Sequence, residues 1–157
     1  ADALNRISES KFGSRFFFER KFKTWITPHS KEFLRLFPYI ESDTYVGLAL
    51  KAAKEFNISV LLKGANSVIA DNKKAWQLYG TDSQTARAGL GDLLSGFIAG
   101  SSAIDLTFNR NITTEFFAKY VLLHSFAASK CKNGSNASAI GDELSKLMRN
   151  CKTRQIS

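Results

Sequence analysis

Apolar residues at Ala3, Leu4, Ile7 and Phe12 form a short helical pattern, followed by a basic aromatic stretch from Arg15 to Lys23. Thr24 to Thr27 then reads as a brief β-type run stopped by Pro28. Phe33, Leu34 and Phe37 mark one face of a short helix over Lys31 to Phe37, ended by Pro38. Asp43 is a suitable N-cap for a helix running through Phe56, with Val46, Leu50, Ala53 and Phe56 on one face and Asn57 at its end. Ile58 to Leu62 is a continuous apolar run, the signature of a buried strand, and Lys63 to Asn66 breaks it. Ser67 to Ala70 and Ala75 to Tyr79 predict a hairpin around Asp71 to Lys74. From Gly91 the spacing turns helical again. Leu93, Leu94, Phe97 and Ile98, interleaved with Gly96 and Gly100, suggest a closely packed helix. A longer helix over Thr113 to Lys130 is N-capped near Thr113 with Glu115 in its first turn, and a last one runs from Ala137 to Met148.

Strands alternating with helices indicate an α/β fold with a partly parallel sheet. The pattern yields only about four strands against about five helices, fewer than a sheet of 5–6 strands requires. Ala1 stands inside what reads as the exit from a strand, so the expectation is a missing N-terminal half. No repeat, low-complexity tract or linker divides the chain, which reads as part of a single domain over residues 1–157.

Composition narrows the function classes. A 44% hydrophobic fraction supplies a core and excludes disorder as the main state. The only cysteines, Cys131 and Cys151, are too few for a disulfide scaffold or a cysteine zinc site and suit a reduced, cytoplasmic setting. No apolar run approaches the roughly 20 residues of a membrane span, so no membrane role is expected. Lysine and arginine number 22 against 14 acidic residues, a net charge of +8 that favours anionic partners, whether nucleic acid or phosphorylated metabolites. The 13 phenylalanines cluster in runs such as Phe16 to Phe18 rather than as a base-stacking platform, so no nucleic-acid role is expected. The basic residues Arg15, Arg20, Lys21 and Lys23 read as a solvated face, with the phenylalanines between them as a packing surface for the absent half.

The segment richest in chemistry is Ala86-Arg87-Ala88-Gly89-Leu90-Gly91-Asp92-Leu93-Leu94, a Gly-x-Gly-Asp turn opening an apolar helix. Glycines 89 and 91 let backbone N–H groups approach an anion, and the helix N-terminus adds partial positive charge, so Gly89, Leu90 and Gly91 can form an anion hole. Asp92 beside it can take a proton from a substrate hydroxyl. The alternative is that Gly89 and Gly91 are turn glycines and Asp92 a capping acid. His29 and His124, the only histidines, lack triad or metal-pair spacing; no protein metal site is expected. His29 reads either as a surface loop residue or as a site residue, and Lys63 either as a solvated strand end or as a cation near phosphate.

Three segments in order, Thr27-Pro28-His29-Ser30-Lys31-Glu32, Leu62-Lys63-Gly64-Ala65-Asn66-Ser67 and Gly89-Leu90-Gly91-Asp92-Leu93-Leu94-Ser95-Gly96, resemble the C-terminal half of the ADP/ATP-dependent NAD(P)H-hydrate dehydratase family, within the ribokinase-like carbohydrate kinase superfamily. The family's usual forms are Thr-Pro-His-Pro-Gly-Glu, Leu-Lys-Gly-Ala-Gly-Thr and Gly-Gly-Thr-Gly-Asp-Val-Leu-x-Gly. Ala1 to Asn5 and Leu123 to Ala127 extend the likeness over nearly the whole chain. It departs at Ser30-Lys31 for Pro-Gly, Asn66-Ser67 for Gly-Thr, and Ala88 and Leu90 for a glycine and a threonine; Arg87 is a candidate compensating cation.

The resemblance implies a layered Rossmann-like sheet with helices on both faces. It also implies a lyase that repairs hydrated NADH or NADPH (NADHX, NADPHX) with ADP or ATP as co-substrate and Mg2+ accompanying the nucleotide. On it, Asp92 is catalytic, His29 and Asp92 contact the hydrated dinucleotide, and Lys63, Gly64, Ala65, Asn66, Ser67 and Gly91 hold the adenine nucleotide. An upstream epimerase domain and a homo-oligomer are further expectations. The rival readings are a ribokinase-like small-molecule kinase of the hydroxymethylpyrimidine or thiazole type and a non-catalytic binding or assembly module.

Overall fold

The computed structural model describes residues 2–79, 89–108, 110–132 and 135–153, which fall into two compact units, residues 1–81 and 82–157. The first unit holds the sheet. Its elements are α1 (Asp2–Glu9), a 3-10 turn at Gly13–Phe17, β1 (Trp25–Ile26), α2 (Ser30–Leu36), α3 (Tyr45–Phe56), β2 (Ser59–Leu62), β3 (Val68–Ala70) and β4 (Ala75–Gln77). The strands lie in the order β1-β2-β3-β4, parallel between β1 and β2 and antiparallel thereafter. The partly parallel α/β sheet is as expected. Every residue of β2 and β3 is buried, which is why these strands read as unbroken apolar runs instead of alternating.

Ala49, Ala52 and Ala53 are completely buried on α3, and these short side chains let the helix lie close on the sheet. Val46 and Leu50, expected on the inner face, are only partly buried and pack at its margin. The N-cap is Thr44, not Asp43: the Thr44 hydroxyl accepts from the Gly47 N–H at 3.0 Å. Asn57 ends the helix in the left-handed region, at φ +50°. On α2 the buried face is Phe33 and Leu36, with Phe37 just beyond, while Leu34, expected inside, is exposed. Phe12 likewise lies beyond the end of α1 and is exposed. The β3–β4 turn is held by the Asp71 carboxylate, which accepts from Lys73 N–H at 2.8 Å and Lys74 N–H at 2.9 Å.

Aromatic rings fill the core beneath α3. Phe56 has ring centroids of Phe18 at 4.8 Å, Phe37 at 4.9 Å and Phe17 at 6.1 Å around it. The basic stretch is divided accordingly: Phe17 is buried, Arg15, Arg20, Lys21 and Lys23 are exposed, and so are Phe18 and Phe22.

The second unit is helical: α4 (Leu90–Thr107), α5 (Thr114–Lys130) and α6 (Ala137–Thr153). The helix α4 starts one residue before the expected Gly91, and α6 runs past Met148. Among the described residues Gly96 and Gly100 are not close-packing positions, since a Cβ at either meets none of them within 4 Å. Ala127, Ala128, Ile140 and Leu144 form the core between α5 and α6. Near the end of α4 the buried Asp105 carboxylate accepts from the Arg110 guanidinium at 2.7 Å and from the Tyr120 hydroxyl on α5. Burial, and then this bond to Asp105, hold the Tyr120 phenol well above its ordinary range. Among the described residues no helix is long and apolar enough to cross a membrane.

His124 on α5 is buried, and its Nε2 has no hydrogen-bond partner among the described residues. Burial holds its pKa below the ordinary 6.5. As pH falls through that value the unfolded chain takes up a proton that the folded chain does not, so stability drops toward acid. Urea unfolding at neutral pH and near pH 5.5 is expected to show a smaller acid loss for His124→Gln than for the parent. Equal losses would remove His124 as the cause.

Candidate functional site

Two of the predicted segments meet at the carboxyl ends of the parallel strands, where α/β sheets place their ligands. His29 follows β1 and Lys63 follows β2, and the two form a parallel bridge in which the Lys63 N–H donates to the Pro28 carbonyl at 2.9 Å. The peptide groups of these segments are thus held side by side.

His29 has a structural task that the sequence reading missed. It caps α2: Nδ1 accepts from the Glu32 N–H at 3.3 Å, and Glu32 Oε2 accepts from the His29 N–H at 2.8 Å. The reciprocal pair is a capping box with histidine in the place usually taken by serine or threonine. The signal was present as His29-x-x-Glu32 just ahead of an apolar pair. The rest of the His29 ring stays accessible, its side chain 49% exposed, while Glu32 is buried beneath it.

The turn from Lys63 to Ser67 is closed by its own last residue. The Ser67 hydroxyl donates to the Gly64 carbonyl at 3.2 Å and accepts from the Gly64 N–H at 3.3 Å. Serine in place of the family's threonine therefore retains a hydroxyl and uses it to set the loop. Gly64, Ala65 and Asn66 are exposed, and Lys63 is half-buried.

The third segment opens the helical unit. Gly89 caps α4 at φ +81°, a conformation that a Cβ disfavours, and its carbonyl accepts from the Leu93 N–H at 2.9 Å. By helix geometry the N–H groups of Leu90, Gly91 and Asp92 have no partner within α4, and they lie at the positive end of its dipole. Only Gly89 needs left-handed backbone; Gly91 is an ordinary residue of the first turn. Asp92 stands in that same turn with its side chain exposed, and none of the described residues bonds its carboxylate. Ala86, Arg87 and Ala88 lie outside the described residues. Among the described residues no three histidine, cysteine, aspartate or glutamate side chains gather as a metal cage.

The family described as NAD(P)H-hydrate dehydratase matches residues 1–150. The bifunctional NAD(P)H-hydrate repair enzyme of Synechocystis sp. is 36% identical over 101 residues, covering 64% of this chain and 19% of that protein. Among solved structures, a ribokinase-like superfamily protein of Enterococcus faecalis is similar with a TM-score of 0.74 at 23% identity, over 96% of this chain and 51% of that one. The ADP/ATP-dependent NAD(P)H-hydrate dehydratase of Bacillus subtilis, co-crystallized with ATP and Mg2+, gives a TM-score of 0.67 at 21% identity, over 84% and 49%. The fold is therefore ribokinase-like, and the chain spans about half the length of these structures and about a fifth of the repair enzyme.

Proposed function

This chain belongs to the NAD(P)H-hydrate dehydratase family, and on that premise we propose that it takes part in nucleotide-driven dehydration of hydrated NADH and NADPH. The observation that carries the reading is the pairing of His29 with Lys63, which sets the dinucleotide segment beside the Lys63–Ser67 loop at the strand ends. Residues 1–157 are then the C-terminal portion of one ribokinase-like domain.

Asp92 takes the proton from the ring hydroxyl of the hydrate. The freed oxygen attacks the terminal phosphorus of ADP or ATP, and AMP or ADP leaves. Departure of inorganic phosphate from the ring carbon, with loss of a proton from its neighbour, restores the double bond. The N–H groups of Leu90 and Gly91 face charge that develops on the transferred phosphoryl group. Lys63 and the Gly64–Ser67 backbone hold the nucleotide phosphates, and the exposed edge of His29 contacts the hydrate. Magnesium bound with the nucleotide would be held by its phosphates with few protein ligands and would supply charge that eases phosphoryl transfer. The reaction belongs in the cytoplasm with its substrate. Exposed Leu122 and Phe126 on α5 offer apolar surface for the expected self-association.

The test is recovery of NADH absorbance from chemically prepared NADHX with ADP, ATP or no nucleotide, using the chain within its natural full-length protein. Nucleotide-dependent recovery is the expected result. Nucleotide binding without recovery favours the small-molecule kinase, and neither binding nor recovery favours the assembly module.

A further inference from the structure

Tyr45 was not singled out by its sequence context, yet it touches both loops of the sheet unit. It is the first residue of α3 and is 41% exposed. Its hydroxyl shares a 2.5 Å hydrogen bond with the Ser30 hydroxyl, immediately after His29. Its ring stands over Gly64, so that a Cβ there would lie 3.0 Å from Cε1 and 3.7 Å from Cδ1 and Cζ. We propose that Tyr45 is a positioning residue for the nucleotide loop, a strap that holds Gly64 against the His29 segment through Ser30; the proposal rests on the reading of Lys63–Ser67 as the phosphate loop.

Gly64 is gripped from two sides. Ser67 bonds both of its peptide groups from within the loop, and the Tyr45 ring closes on its Cα from outside. A side chain at position 64 would push the ring away, and the ring's displacement would break the bond to Ser30. One of the departures from the family pattern then acquires a purpose. Ser30 supplies the hydroxyl that a proline lacks, while Ser67 keeps the hydroxyl of the inner staple. Neither Tyr45 nor Ser30 is buried, so removing one hydroxyl leaves the core intact, and the effect falls on the geometry of the loop.

The experiment is calorimetric titration of the full-length protein with ADP, alongside its melting temperature. The variants are Tyr45→Phe, Ser30→Ala, the double variant and Ser30→Thr. The expected result is an ADP dissociation constant raised about threefold to tenfold in each single hydroxyl deletion, no further rise in the double variant, and recovery in Ser30→Thr. Melting temperatures stay within about 2 °C, while amide exchange at Gly64 to Ser67 quickens in the same variants. Unchanged ADP affinity in both single variants overturns the proposal, as does an affinity loss matched by a general fall in melting temperature. If the parent itself fails to bind ADP, the phosphate-loop reading is lost and this role for Tyr45 with it.

Discussion

In the Asp92→Asn protein, nucleotide-dependent recovery of NADH is expected to fall by about 10²–10⁴-fold, the usual contribution of a positioned general base. Asparagine keeps the size of the side chain and its fit in the first turn of α4, but it cannot accept the proton. The backbone N–H groups of Leu90 and Gly91 are unaltered, so phosphate binding persists: the ADP dissociation constant should stay within about threefold of the parent. Exposure of Asp92, with no bond to it from the described residues, is what separates this outcome from a folding defect. Recovery within about tenfold of the parent, measured on NADHX at saturating ADP, would remove Asp92 from the chemistry and leave it as a helix-start acid.

The largest structural loss is expected at Phe56. Its ring meets Phe17, Phe18 and Phe37, and only 2% of the residue is exposed. Phe56→Ala removes the centre of this cluster and leaves a cavity, at a cost of about 3–5 kcal/mol. Domain stabilities are only about 5–15 kcal/mol, so the sheet unit should lose much of its cooperative transition in urea. Leu34→Ala, on the exposed side of α2, is the matched control and should change stability by less than about 0.5 kcal/mol. Similar urea midpoints for the two variants would show that the aromatic cluster does not hold the unit together.

The helices and strands that were legible in the sequence are those whose burial is periodic or continuous. The α3 helix and the β2–β3–β4 hairpin ladder announce themselves through the three- to four-residue apolar spacing from Val46 to Phe56, apolar runs and the Asp71 turn. What the sequence concealed depends on backbone angles and on contacts between distant residues. Asp43 and Thr44 are both cap formers, and only the extended backbone at Thr44 decides between them. No glycine or proline follows Met148, so nothing in the chain marks the end of α6. Leu34 is as apolar as Phe33 yet faces water, because a seven-residue helix buries a narrow stripe. Two of the three motif segments, 29–32 and 63–67, do adjoin. The contact of Tyr45 with Ser30 and Gly64 left no trace, since no local spacing connects residues on three separate elements.

The histidine cap also determines which way a proton points. Because the Glu32 peptide donates into Nδ1, that nitrogen keeps its lone pair, and the neutral imidazole carries its hydrogen on Nε2. In the proposed site the ring therefore meets its ligand as a donor, from an Nε2 that lies 3.6 Å from the buried Glu32 Oε2, and its natural counterpart is an oxygen acceptor such as a phosphate or carboxamide oxygen. The tautomer, the cap and the polarity of recognition are thus one choice.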